Sequence, residues 1–72
     1  MDTKKIGERI RNLREKAGET KRFLARELGC GYSTVCSWEY GLKVPEDKMK
    51  IRIAEHFRVP INIFFDENYH EN

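Results

Sequence analysis

Few residues in this 72-residue chain have the types and spacing to do chemistry, and most of them lie between Thr20 and Gly41, in TKRFLARELGCGYSTVCSWEYG. Cys30 and Cys36 stand in CGYSTVC, a spacing that suits neither CxxC redox exchange nor a zinc ribbon. His56 and His70 bring no companion ligands at metal spacing, so neither a metal nor a cofactor is expected. No Ser/His/Asp, Cys/His or paired-carboxylate arrangement comes with residues that would build a water-excluding pocket, and the chain does not read as an enzyme. What remains is a run of short hydrogen-bonding side chains, Tyr32, Ser33, Thr34, Cys36 and Ser37, flanked upstream by the cations Lys21 and Arg22. Such groups recognise a partner rather than make or break bonds.

Two short helices would have to position them. Over residues 21–28, Leu24, Ala25 and Leu28 recur at helical spacing, with Arg22, Arg26 and Glu27 on the other face. Gly29-Cys30-Gly31 breaks the pattern, and a glycine can turn the chain over very few residues. Over residues 32–40, Val35 and Trp38 face inward three apart, leaving Tyr32, Ser33, Cys36 and Ser37 on a short, polar, nearly uncharged outer face. Thr20 is placed to cap the first of these helices. The backbone amides at that helix start, with Lys21 and Arg22 beside them, would suit a phosphate. Cys30 reads as a small apolar residue in the turn. Helices of eight residues are marginal alone in water, since roughly 12 to 15 residues are needed. They must pack on each other and on further elements. Helix, glycine-containing turn, helix is the unit whose second helix can lie in the major groove of DNA.

The stretch resembles the helix-turn-helix of the Xre/Cro-like regulators of phages and their bacterial hosts, which share the lambda-repressor-like fold. The residues that carry the resemblance are Ala25 at the helix crossing, Gly29 in the turn, Val35 and Trp38 facing inward, and the ending Trp38-Glu39-x-Gly41. The resemblance implies an all-α, five-helix DNA-binding domain over residues 1–66, with the helix-turn-helix at about residues 21–40. It implies base contacts from Tyr32, Ser33, Thr34, Cys36 and Ser37, and phosphate contacts from Thr20, Lys21, Arg22 and Lys43. It also implies an ion pair between Arg14 and Glu39 that holds the first helix to the end of the recognition helix. The chain departs from the family pattern at Lys21, where glutamine is usual, and at Glu19, where an apolar residue is usual. Lys21 can still reach a phosphate as a point charge. Glu19 would bring negative charge towards the DNA backbone and remove an apolar contact.

Size and charge are consistent with this. One domain is all that 72 residues allow. With 36% charged and 39% hydrophobic residues the chain reads as a globular module expected in the cytoplasm, nucleoid-associated, with no membrane span or signal segment. The net charge is +2, but Asp66, Glu67 and Glu71 gather at the end, leaving fourteen basic against nine acidic residues over 1–65. A basic body favours a polyanionic partner. Residues 67–72 read as a short acidic, disordered tail.

The remaining chain reads as support. A first helix over residues 1–18, capped by Asp2 or Thr3, would align Ile6, Ile10, Leu13 and Ala17. A fourth, entered at Pro45 and running to about Phe57, would bury some of Met49, Ile51, Ile53, Ala54 and Phe57. Val59-Pro60 starts a last short helix in which one of Phe64 and Phe65 seals the core, while Ile61 and the other aromatic would suit a twofold interface. Dimers are how such domains reach two half-sites about 34 Å apart. The expected partner is therefore a twofold-symmetric duplex operator bound by a homodimeric repressor, with no small-molecule ligand. The alternative is an antitoxin-like module with the same fold and a protein partner.

Overall fold

The computed structural model describes residues 2–64, whose regular structure is all helical. Four α-helices follow one another: α1 (Thr3–Lys16), α2 (Lys21–Leu28), α3 (Tyr32–Glu39) and α4 (Asp47–Phe57), before a 3-10 turn at Ile61–Phe64. The class is all-α as expected. The expected fifth helix is only that one turn among the described residues, begun where Ile63 N–H donates to the Pro60 carbonyl at 3.2 Å.

The helix starts follow local side-chain chemistry. Asp2 accepts the Lys5 N–H at 2.8 Å and so, rather than Thr3, caps α1. Thr20 Oγ1 accepts the Phe23 N–H at 3.0 Å and caps α2. Each such cap contributes about 1 kcal/mol. Pro45 is buried ahead of α4, whose N-cap is Glu46.

All four ends close in one way, by a backbone N–H reaching back to a carbonyl five residues earlier. The bonds run from Glu19 to Arg14, Cys30 to Ala25, Leu42 to Ser37 and Val59 to Ala54, at 2.9 to 3.0 Å. This closure needs a left-handed residue just past the helix. Gly18, Gly29 and Gly41 supply it for α1 to α3, but α4 uses Arg58 at φ 58°. A side chain in that region costs roughly 1 kcal/mol or more.

The core takes one side from each helix: Ile6, Ile10 and Leu13; Leu24, Ala25 and Leu28; Val35 and Trp38; Ile53 and Ala54. Ile63 and Phe64 close it from the 3-10 turn. One expectation is corrected here, and the choice among the apolar residues of α4 is narrowed. Ala17 is exposed, because α1 stops at Lys16 and Ala17 is already its cap. Ile51 is 51% exposed, because it stands about 200° around the helix from the fully buried Ile53. Phe64 is the aromatic that seals the core and is withdrawn from the expected twofold interface; Ile61 stays 39% exposed. Phe65 and the acidic tail lie outside the described residues.

α1 and α3 meet at unusually close range. A Cβ on Gly7 would run into the Trp38 carbonyl oxygen, and one on Gly41 would come within 3.0 Å of Lys4 Cγ. α3 is therefore seated with its C-terminal end flush against the first turns of α1.

Candidate nucleic-acid interface

The C-terminal end of α3 is held by arginines from α1. Glu39 is buried, and Arg14 grips its carboxylate with both edges, Nε to Oε2 at 2.7 Å and Nη2 to Oε1 at 3.0 Å. The third donor, Arg14 Nη1, bonds the Glu19 carbonyl at 2.7 Å. Arg11 Nη2 donates to the Glu39 backbone oxygen at 2.8 Å. Its Nε lies 3.7 Å from the carboxylate. The hydrogen bond to Glu39 raises the Arg14 pKa above its ordinary value, although burial opposes this. A charged pair so enclosed and so fully bonded fixes geometry more than it adds net stability.

The other end of α3 carries the groups singled out in the sequence and is open. Tyr32, Ser33 and Thr34 are exposed, and Cys36 and Ser37 half-buried. Tyr40, just past the helix, is 62% exposed. No charged side chain interrupts this surface between Tyr32 and Ser37. Two side chains from the first turn of α2 reach its edges. Arg22 Cζ is 4.5 Å from the centre of the Tyr32 ring, and Lys21 Nζ is 5.1 Å from that of Tyr40. A third stack, Arg26 on Phe23, lies within α2 itself at 5.4 Å. Lys43 and Thr34 line one hollow of about 230 Å³ with Trp38, Val44, Glu46 and Met49. Thr20, Lys21 and Arg22 thus lie together at the start of α2, and of the three Arg22 is the one whose side chain rests on an expected base-contacting residue, Tyr32.

Three features were not visible beforehand. Glu19, expected to leave a bare carboxylate near the α2 start, instead faces His56 of α4, whose Nε2 lies 2.9 and 3.0 Å from its two oxygens. The ring also meets Phe57 edge-on at 4.7 Å. With Glu19 and His56 standing 37 positions apart, no local spacing signals the pair. The stacking of Lys21 on Tyr40 likewise has no signal in the sequence, although Tyr40 stands about two helical turns from Tyr32. The close approach at Gly7 was the third.

The cysteines remain simple. Both are free, and Cys30 packs partly buried against the core. Burial pushes the Cys30 thiol up, only partly offset by Arg52, so it is not a thiolate at neutral pH. Among the described residues no three His, Cys, Asp or Glu side chains come together to hold a metal, and no helix is long and apolar enough to cross a membrane.

Comparison with known proteins gives one result. A helix-turn-helix family model matches residues 10–64, which takes in the Arg14 and Glu39 contact, both helices of the turn unit and the closing 3-10 turn. Neither the curated proteins nor the solved structures compared with the chain gave a match. The match spans well over half of the chain, and the chain belongs to the Xre/Cro-like helix-turn-helix family of DNA-binding regulators.

Proposed function

We propose that this protein is a sequence-specific regulator that binds duplex DNA with α3 in the major groove and represses transcription, as phage and mobile-element regulators do. One observation carries the reading. An exposed, uncharged helix face is bordered by Lys21, Arg22 and Lys43, and among the described residues no carboxylate pairs with any of the three. Such cations are available to phosphates, and a face without charge can approach base edges at no electrostatic cost.

In this reading Tyr32, Ser33, Thr34, Cys36 and Ser37 meet base edges. The amides behind Thr20, with Lys21, Arg22 and Lys43, hold the sugar-phosphate backbone. Hydroxyls discriminate less well than the bidentate Arg, Asn or Gln contacts, none of which α3 offers. Preference then leans on bridging water, DNA shape and the pairing of two half-sites by a homodimer. Of the residues assigned to the twofold contact, Ile61 is exposed enough to take part.

The test is selection of bound sites from a random duplex pool at about physiological salt, with the Ser33→Glu/Ser37→Glu variant beside the wild type. The expected result is a twofold-symmetric motif that the variant does not recover, while its folding stability stays within about 1 kcal/mol. Repression is then read from a promoter carrying the motif. A second reading, an antitoxin-like module with a protein partner, draws on Leu42 and Val44, 74% and 45% exposed beside the hollow that Val44 lines. Recovery of no motif would favour it.

A further inference from the structure

We propose that Arg22 is a base-reading residue, delivered to the major groove from α2 and held on the ring of Tyr32, with a guanine edge as its target. The proposal rests on the DNA-binding reading above, and it replaces the phosphate role given there to Arg22 with a more specific one.

The first support is what α3 lacks. Its exposed residues are Tyr32, Ser33 and Thr34, with Cys36 and Ser37 half-buried beside them, and the strongest direct contact in a major groove is a guanidinium pairing two donors with O6 and N7 of guanine. A reader of that kind must come from a neighbouring element. Arg22 is the guanidinium that α2 brings onto α3, its Cζ standing 4.5 Å from the ring centre of Tyr32, the first residue of that helix. Lys21 reaches the far end at Tyr40 with an ammonium, which has no fork of donors. Arg26 stacks on Phe23 of its own helix.

The second support is how Arg22 is held. Every arginine that α1 sends inward is bonded: Arg9 to the Ile63 carbonyl, Arg11 to the Glu39 carbonyl and Arg14 to the Glu39 carboxylate. Arg22 makes no hydrogen bond or ion pair among the described residues, and the Tyr32 ring is its contact. All five N–H donors are left for a ligand. A phosphate clamp needs only a charge at the right distance, and a freely rotating side chain serves. A base edge needs the plane of the guanidinium fixed, and seating it on an aromatic face restricts that plane while leaving the N–H edge outward.

The experiment compares wild type, Arg22→Lys and Tyr32→Leu by the same duplex selection, followed by affinities for the selected site, for its single-base variants and for a scrambled duplex at one salt concentration. The expected wild-type motif holds one G·C pair per half-site at which substitution costs about tenfold or more. Arg22→Lys, which keeps the charge, removes the preference at that pair alone and lowers the ratio of selected to scrambled affinity by about tenfold. Tyr32→Leu weakens the preference at the same pair. An unchanged motif in Arg22→Lys, with affinities for both duplexes moving together, would overturn the base-reading role and leave the DNA-binding reading standing. A wild-type chain that selects no motif overturns both.

Discussion

The two ends of α3 are built on opposite principles. At its C-terminus every strong polar group of Glu39 is taken: the carboxylate by Arg14, the carbonyl by Arg11. At its N-terminus the side chains of Tyr32, Ser33 and Thr34 are exposed, and the cation beside them, Arg22, is seated on an aromatic ring rather than paired. The helix is eight residues long, so the transition takes about two turns. The difference teaches that α3 is oriented by charge buried at one end so that it needs no charge of its own at the other. A short helix has too little apolar surface to fix its own rotation. Val35 and Trp38 bury it, and the Glu39 contacts decide which face remains outside.

The largest effect should come from breaking the closed end. Arg14→Met leaves the Glu39 carboxylate buried with only the more distant Arg11, and should cost about 3 to 5 kcal/mol by urea denaturation. A domain of this size has a total stability of the same order. Replacing both partners, Arg14→Met with Glu39→Leu, should recover most of the loss, since the isolated charge is then gone. A single-mutant cost below 1 kcal/mol would mean that α3 is oriented by packing alone. Next in size is Gly7→Ala, which drives a methyl into the Trp38 carbonyl and should destabilise by about 1 to 3 kcal/mol although alanine is the better helix former. A stabilised Gly7→Ala would show that α1 and α3 have room to part. The smallest effect lies outside both ends. Arg58→Gly relieves a positive φ and should raise stability by up to about 1 kcal/mol. That variant separates fold stability from recognition, because it changes the first without touching the second.

How much of this the sequence discloses depends on the range of the interaction. The turn unit is legible because its determinants are local: Leu24, Ala25 and Leu28 set a helical face, Gly29 ends it, and Thr20 caps it within three residues. The partnership of Arg14 with Glu39 is visible only through a family resemblance, since nothing in residues 25 positions apart points one at the other. Glu19 and His56 have no such help, and the sequence read alone makes Glu19 a liability where the fold gives it a partner. Ile51 shows a different gap. Periodicity says that α4 has apolar residues on more than one face, but which face is buried depends on where α2 and the 3-10 turn come to rest. Gly7 reads as a weak helix position and proves to be a contact, because a missing side chain leaves no periodic signal.

The acceptors that α1 chooses also bear on how the protein can change. Arg9 and Arg11 donate to main-chain oxygens, those of Ile63 and Glu39. A carbonyl survives any substitution that leaves the backbone in place, so these two bonds are indifferent to sequence drift at the residues that receive them. Tyr32, Ser33 and Thr34, for their part, lie on the exposed face rather than in the core. Variation can therefore rewrite the exposed face of the helix while its seat is inherited intact.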